Sequence, residues 1–255
     1  MRVSTINLTG YDNEMNPIDI AFDFRSDSSG KDPDSHSATL KSYHKKIWSK
    51  QLPNGDEFNL QDDLKGTYLY HKSPRSLIHL SSDSITHSYK NVVKMQNLLK
   101  QIDPVGVEDF RNLSYTIGGF ILFPSKRIDG KMNINGARGF NSKIADRFDL
   151  TLECIKRYYS KDISPLSEVL DRYKDFFALF IDFQGFVDFF LLNDLVDSDY
   201  SRIKFFIPAT DPFVNPPLPQ SVDEYLQYKT GSMDFLAKRN ARMDTDYWVN
   251  RSGQR

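Results

Sequence analysis

Seven phenylalanines lie between residues 176 and 190. Six of them fall in two segments that read as helices. "SPLSEVLDRYKDFFALF" begins with the Ser-Pro pair common at helix starts, and "QGFVDFFLLNDLV" continues after Gly185. Burial of aromatic area drives packing, so these residues are expected to be core rather than a cofactor box. Such a segment needs other elements to cover it. The supply is adequate: of 255 residues 39% are hydrophobic, including 19 Phe and 13 Tyr, and 26% are charged, a balance unlike that of a disordered chain. The length fits one large domain or two small ones. No Gly/Ser/Pro-rich junction divides the chain before the proline-rich strap at 211–220. One globular domain is therefore expected over 18–243, with a polar arm at 1–17 and a tail at 244–255.

The remaining elements follow from pattern. "IDIAFDF" (18–24) alternates apolar and acidic residues as a half-buried strand does. Ser35 or Ser37 is placed to cap a helix over "ATLKSYHKKIWSK", with Leu40, Tyr43, His44 and Ile47 on one side. An Asn-Gly turn follows at 54–55. Two strands are expected in 66–84 with a turn at Pro74, then helix over 88–112 interrupted at Pro104. "YTIGGFILFP" (115–124) is the candidate central strand, its glycine pair marking a bulge or close packing. Helices dominate from 141 onward, where Ile144, Phe148, Leu152, Ile155 and Tyr159 share a face. "IKFFIP" (203–208) reads as a last strand, and Ser221 with Glu224 forms a capping box before a final helix. The fold class is α+β: a sheet mainly from the N-terminal half, covered by C-terminal helices.

Net charge is −1, which excludes a strong whole-molecule attraction to nucleic acid or anionic membrane. The sum hides an asymmetry: residues 126–161 carry a net +5 and residues 162–200 a net −7. Either neighbouring elements compensate each other, or the basic stretch faces a phosphate. One cysteine, Cys154, excludes a disulfide framework within the chain, and its place in the middle of a helix marks it as a buried structural thiol. The start of the sequence has no apolar signal core and no run approaches a membrane span, so a cytoplasmic location is expected.

The basic stretch "RIDGKMNINGARGFNSKIADRFDLTLEC" is the first candidate site. Gly130, Gly136 and Gly139 suggest bends between Arg127, Lys131, Arg138 and Arg147. The "NGARGF" turn would expose backbone N–H groups, and a helix starting near 141–143 would add a positive dipole end. No P-loop or dinucleotide fingerprint is present, so the phosphate signal is weak and the cofactor is left open. Asp146, Asp149 and Glu153 lie within about 60° of one another on the helix but away from its apolar face. They read as a solvated face or as ion pairs, and no metal site is expected. The second candidate is "FRSDSSGKDPDSHS", which offers Arg25, Asp27, Lys31 and His36.

All five histidines fall within 36–87, none at the spacing of a helical zinc site. His79 and His87 read as ordinary strand residues. Tyr70, His71 and Ser73 form an aromatic-His-x-Ser pattern that resembles the first strand of ADP-ribosyltransferase cores, which implies a ribose-holding role for His71. At larger scale, "FDFRSDSSGKDPDSHSATLKSYHKKIWSKQLPNG", "GFILFPSKRIDGKMNINGARGFNSKIADRFDLTLECIKRYY", "FFALFIDFQGFVDFFLLNDLV" and "PLPQSVDEYLQYK" resemble a bacterial family, one of the domains of unknown function. The resemblance spans roughly 18–243. It implies a single bacterial cytosolic domain and no particular activity.

Two functional expectations follow. In the first, the two candidate loops meet in a pocket. Arg25, Lys31, Arg127, Lys131, Arg138 and Arg147 then hold a nucleotide, nucleotide cofactor or nucleic-acid phosphate, and His36, Asp27 or His71 moves a proton. In the second, acidic Phe-rich helices and the proline strap form a surface for a protein partner or a second copy. No membrane partner is expected.

Overall fold

A computed structural model of the protein describes residues 17–252 apart from Arg75, with side chains described to residue 245. Apart from Pro17, the expected arm lies outside the described residues. Among the described residues, ten α-helices and four antiparallel strands make the expected α+β fold around one apolar core.

The first half holds α1 (Pro33–His36), α2 (Ala38–Trp48), β1 (Leu60–Gln61), β2 (Leu69–Lys72), β3 (Leu77–Ser84), α3 (Gln96–Leu99), α4 (Pro104–Ser114) and β4 (Phe120–Pro124). Of the two serines considered, Ser37 caps α2, its Oγ accepting from Leu40 N at 3.0 Å. Leu40, Tyr43, His44 and Ile47 all face the core. Gly55, at φ +89°, makes the Asn-Gly turn, and Ser73–Ser76 closes the β2–β3 hairpin. Pro104 opens a helix rather than interrupting one: it sits in the first turn of α4 with Asp103 as cap, where its missing N–H does no harm.

Two expected strands are absent. At 18–24 the Asp19 and Asp23 side chains accept the N–H groups of Ala21 and Arg25, both at 2.9 Å. These local turns replace sheet pairing, and Ile18 and Phe24 reach the core from coil. At 203–208 only one bridge forms, Val196 to Ile203.

β4 is fully buried but not central. The strand order is β1-β2-β3-β4, with Leu80 opposite Pro124 and Ser84 opposite Phe120. At the start of the outer edge of β4, a helix side chain takes the place of a further strand. Arg239, on α10 (Val222–Ser252), donates to the carbonyls of Gly118 at 2.7 Å and Phe120 at 2.9 Å, and to Phe190 O at 3.1 and 3.2 Å. This guanidinium is fully buried with carbonyls as its partners, and burial pulls its pKa down to about 9, so it stays charged at neutral pH. The glycine pair beside it does mark close packing: a Cβ on Gly119 would sit 2.1 Å from Ser114 O.

The second half adds α5 (Ile134–Phe140), α6 (Phe148–Ser160), α7 (Ser167–Arg172), α8 (Lys174–Phe177), α9 (Phe183–Phe189) and α10. The "NGARGF" segment is part of α5, not a turn. Asn133 caps it, accepting from Gly136 N at 3.0 Å, so only Gly130, at φ +68°, serves a bend. α6 starts at Phe148 rather than near 141–143. The seven phenylalanines are core, each at most 8% exposed, and Phe180 packs on Phe176, Phe186, Phe189 and Phe190 at 5.1–5.3 Å between ring centroids. No helix of the described residues is long and apolar enough to cross a membrane. The capping box opens α10: Ser221 Oγ accepts from Glu224 N at 3.2 Å, while the Glu224 carboxylate reaches back to Gln220 N at 2.7 Å.

Candidate active site

β3 leaves the sheet at Ser84, and the chain runs on through Thr86, His87, Ser88 and Tyr89. α10 fixes this exit: Tyr225 donates to Ser88 O at 2.9 Å and Tyr228 Oη accepts from His87 N at 3.2 Å. Facing it is the link between α5 and α6, where Ala145 (φ +44°) and Asp146 (φ +63°) are successive left-handed residues. Bonds from Ala145 N to Asn141 O and from Asp146 N to Arg138 O hold them there. α4 contributes Arg111, the residue that caps its C-terminus is Tyr115, and the proline strap contributes Leu218. Together these segments enclose a cavity of about 360 Å³, within the size range of small-molecule sites.

The chemistry is concentrated on the wall between β3 and the α5–α6 link. His87 Nε2 lies 3.0 Å from Asp146 Oδ2, off the line of the N–H bond, as an ion pair. Asp146 Oδ1 is 3.3 Å from a guanidinium nitrogen of Arg138, which is fully buried and also pairs with Asp83. Thr151 Oγ1 takes the Arg138 Nε–H at 3.0 Å. Asp34, brought by α1, receives a long contact of 3.4 Å from the Ser84 hydroxyl.

The electrostatics are divided among these groups. Burial opposes ionisation of Asp146, but Arg138 and His87 outweigh it and hold the carboxyl at about 2. Burial likewise opposes the His87 imidazolium, yet Asp146 keeps its pKa above the usual value. For Asp34, burial together with Asp32 and Asp83 pushes the carboxyl up to about 7. Asp83 is raised to about 6 by burial despite Arg138. The wall therefore carries a firmly ionised carboxylate beside an imidazole of raised proton affinity, and behind it, not lining the cavity, stand the two raised carboxyls of Asp34 and Asp83. Such a spread is what acid–base chemistry at neutral pH requires. Among the described residues no three His, Cys, Asp or Glu side chains are placed to hold a metal ion.

The residues expected from sequence do not come together in one pocket. Arg25 is bound by Asp23, donates to Asn112 Oδ1 at 2.7 Å and lies 4.6 Å from the centre of the Tyr115 ring. Asp27 accepts from Thr39 N at 2.9 Å as a second cap for α2. His36 is exposed, its Nδ1 3.1 Å from Asp32 O, and Lys31 is exposed too. His71 is buried against Phe58 on β2, away from the cavity wall. Arg127 and Lys131 point to solvent. Arg147 pairs with the fully buried Asp149 and donates to Pro217 O at 2.9 Å, tying the strap to α6. Arg138 alone of the set touches the His87–Asp146 pair, through Asp146 and from behind the cavity wall. Asp149 and Glu153, read as a solvated face or as ion pairs, are buried and ion-paired, Glu153 with Lys156 and Arg157.

A second histidine resembles a catalytic one but is not. His44 Nε2 is 3.1 Å from Ser82 Oγ, while its Nδ1 accepts from the indole N–H of Trp48 at 3.0 Å. That acceptance places the proton on Nε2, so the ring donates to the serine and cannot act as its base. Burial, with Arg239, pulls the pKa of His44 down to about 3.

A model of a family of unknown function (DUF6994) matches residues 18–243. The chain belongs to this family. No curated protein and no solved structure matches it. Every residue of the cavity wall named above falls inside the span that defines DUF6994.

Proposed function

We propose that this DUF6994 protein is an enzyme acting on a nucleotide or another phosphate-bearing small molecule. In this reading the 360 Å³ cavity holds the ligand, Lys90 and Arg111 receive its anionic group, and His87 moves the proton. One observation carries the reading. Three left-handed non-glycine residues, Tyr89, Ala145 and Asp146, line this one cavity. Each such conformation costs on the order of 1–3 kcal/mol when strained, and concentrations of them mark functional sites. Here the strain has a use, since it aims the Asp146 carboxylate at His87 and Arg138.

The chemistry follows from the arrangement. With Nε2 occupied by Asp146, Nδ1 is the ring nitrogen left to exchange a proton with a ligand. Asp146 fixes the ring and stabilises its protonated form, and Arg138 keeps Asp146 ionised. His87 in its protonated form is suited to protonate a leaving oxygen. The hydroxyls of Ser84, Thr86 and Ser88 and the rings of Tyr89 and Tyr115 supply hydrogen bonds and flat apolar walls, the mix expected of a ligand pocket.

The test begins with mass spectrometry of small molecules that co-purify with the protein, followed by melting curves with NAD, nucleoside phosphates and pyrophosphate. A ligand raises the melting temperature by mass action. Arg111→Ala should abolish the rise, and His87→Asn should abolish turnover of a ligand that still binds. Rises that persist in Arg111→Ala would place the ligand elsewhere.

A further inference from the structure

Glu108, on α4, holds two of the cavity's cations at once. Lys90 Nζ donates to its Oε2 at 2.7 Å and Arg111 to its Oε1 at 3.0 Å, while Arg25 stands 3.7 Å away. Lys90 and Arg111 line the cavity, whereas Glu108 does not. On the two oxygens of one carboxylate, these two cations are held close together at the cavity wall. Arg25 is already matched by Asp23, so this corner, of Asp23, Arg25, Lys90, Glu108 and Arg111, keeps one positive charge in excess.

We propose that Lys90 and Arg111 are a phosphate subsite held in reserve by Glu108, whose carboxylate the ligand's phosphate displaces. This rests on the ligand-binding reading above and deepens it. The side chains of Lys90, Glu108 and Arg111 are 50%, 37% and 31% exposed. Solvent-screened pairs of this kind contribute little stability and are readily exchanged. Arg138, by contrast, is sealed against Asp83 and cannot change partner without stranding a buried carboxylate. The two clusters therefore have different uses, one fixed and one exchangeable.

The same comparison selects the ligand class. A monocarboxylate would exchange like for like with Glu108 and gain nothing. A phosphate monoester brings up to two charges and three acceptor oxygens, enough to engage Lys90 and Arg111 together and draw on the excess charge of the corner. Lys90, hydrogen-bonded to Glu108, holds that carboxyl below its usual range, so Glu108 is an ionised competitor at neutral pH.

Isothermal titration of the full chain with pyrophosphate, AMP and acetate tests this, using wild type, Glu108→Gln, Arg111→Ala and the Glu108→Gln/Arg111→Ala double variant. Glu108→Gln keeps the shape and removes the competing charge, so it should bind pyrophosphate and AMP roughly tenfold tighter than wild type, with acetate remaining much the weakest of the three in both proteins. The double variant should lose the gain. If wild type binds, Arg111→Ala does not, and Glu108→Gln binds equally or more weakly, the cavity remains the site but Glu108 is a clamp for its cations and this proposal falls. If neither wild type nor Glu108→Gln binds any phosphate compound, both readings fall.

Discussion

His87 and Asp146 meet at 3.0 Å across the cavity wall, one on the exit of β3 and the other in a left-handed link between α5 and α6. Each shifts the other's proton affinity, upward for the histidine and downward for the aspartate. The contact thus depends on two separate elements being fixed, by Tyr228 on one side and by Arg138 on the other.

The carboxyls beside this pair give a pH signature. Asp34 and Asp83 are raised to about 7 and about 6 from an ordinary 3.8, chiefly by burial, with Asp32, Asp83 and His87 also facing Asp34. A raised carboxyl stabilises the fold fully below its ordinary pKa, and that contribution is lost as pH rises through the folded value. His87, also raised, loses its contribution in the same direction. Asp146 does the opposite, losing its contribution only as pH falls toward about 2. Melting temperature should therefore decline from pH 5 to pH 8. Asp34→Asn, which keeps an acceptor for Ser84, should flatten the decline and raise the melting temperature at pH 8 by about 2–4 °C, corresponding to ~1 kcal/mol. An unchanged or steeper profile in thermal denaturation would contradict the assignment.

Arg138→Ala strands Asp83 and leaves Asp146 with His87 alone, and Arg147→Ala removes the arginine partner of Asp149. Removing one partner of a buried pair costs about 3–5 kcal/mol. Both variants should melt far below wild type in denaturant titrations. Arg147→Ala should be the milder, because Asp149 also accepts from Phe206 N at 2.9 Å. Wild-type stability in either variant would mean that the ion pair is not sealed from water.

Phe180 lies among Phe58, Phe176, Phe186, Phe189 and Phe190 and is fully buried. Phe180→Ala should cost about 3–5 kcal/mol by urea unfolding. A loss under 1 kcal/mol would show that the cluster is not tightly packed.

The core was legible in the sequence because it depends on local pattern. The Phe-rich helices, the cap at Ser37, the Asn-Gly turn and the capping box at Ser221 each follow from residues close in the chain. Segment 18–24 was misread because Asp side chains that bond their own backbone look, by alternation alone, like the polar face of a strand. β4 was misplaced because an apolar run does not reveal whether a strand or a buried arginine, Arg239, meets the start of its edge. The site was harder still. Arg138 was visible as a basic residue in a segment rich in Gly and Asn. His87 looked like an ordinary strand residue, Asp146 like part of a solvated face or an ion pair, and Lys90 and Arg111 stood out in no motif. Their meeting depends on α10 and the strap, which arrive from the far end of the sequence.

The most direct test of the central claim is imidazole NMR of the histidine-labelled full chain, titrated with pH and then with AMP or pyrophosphate. The account predicts that the His87 ring titrates above 6.5 and shifts when the phosphate compound is added, and that His44 remains neutral down to about pH 4 and does not respond. A His87 resonance that ignores every phosphate compound the protein binds, or that titrates as a free imidazole, would contradict it.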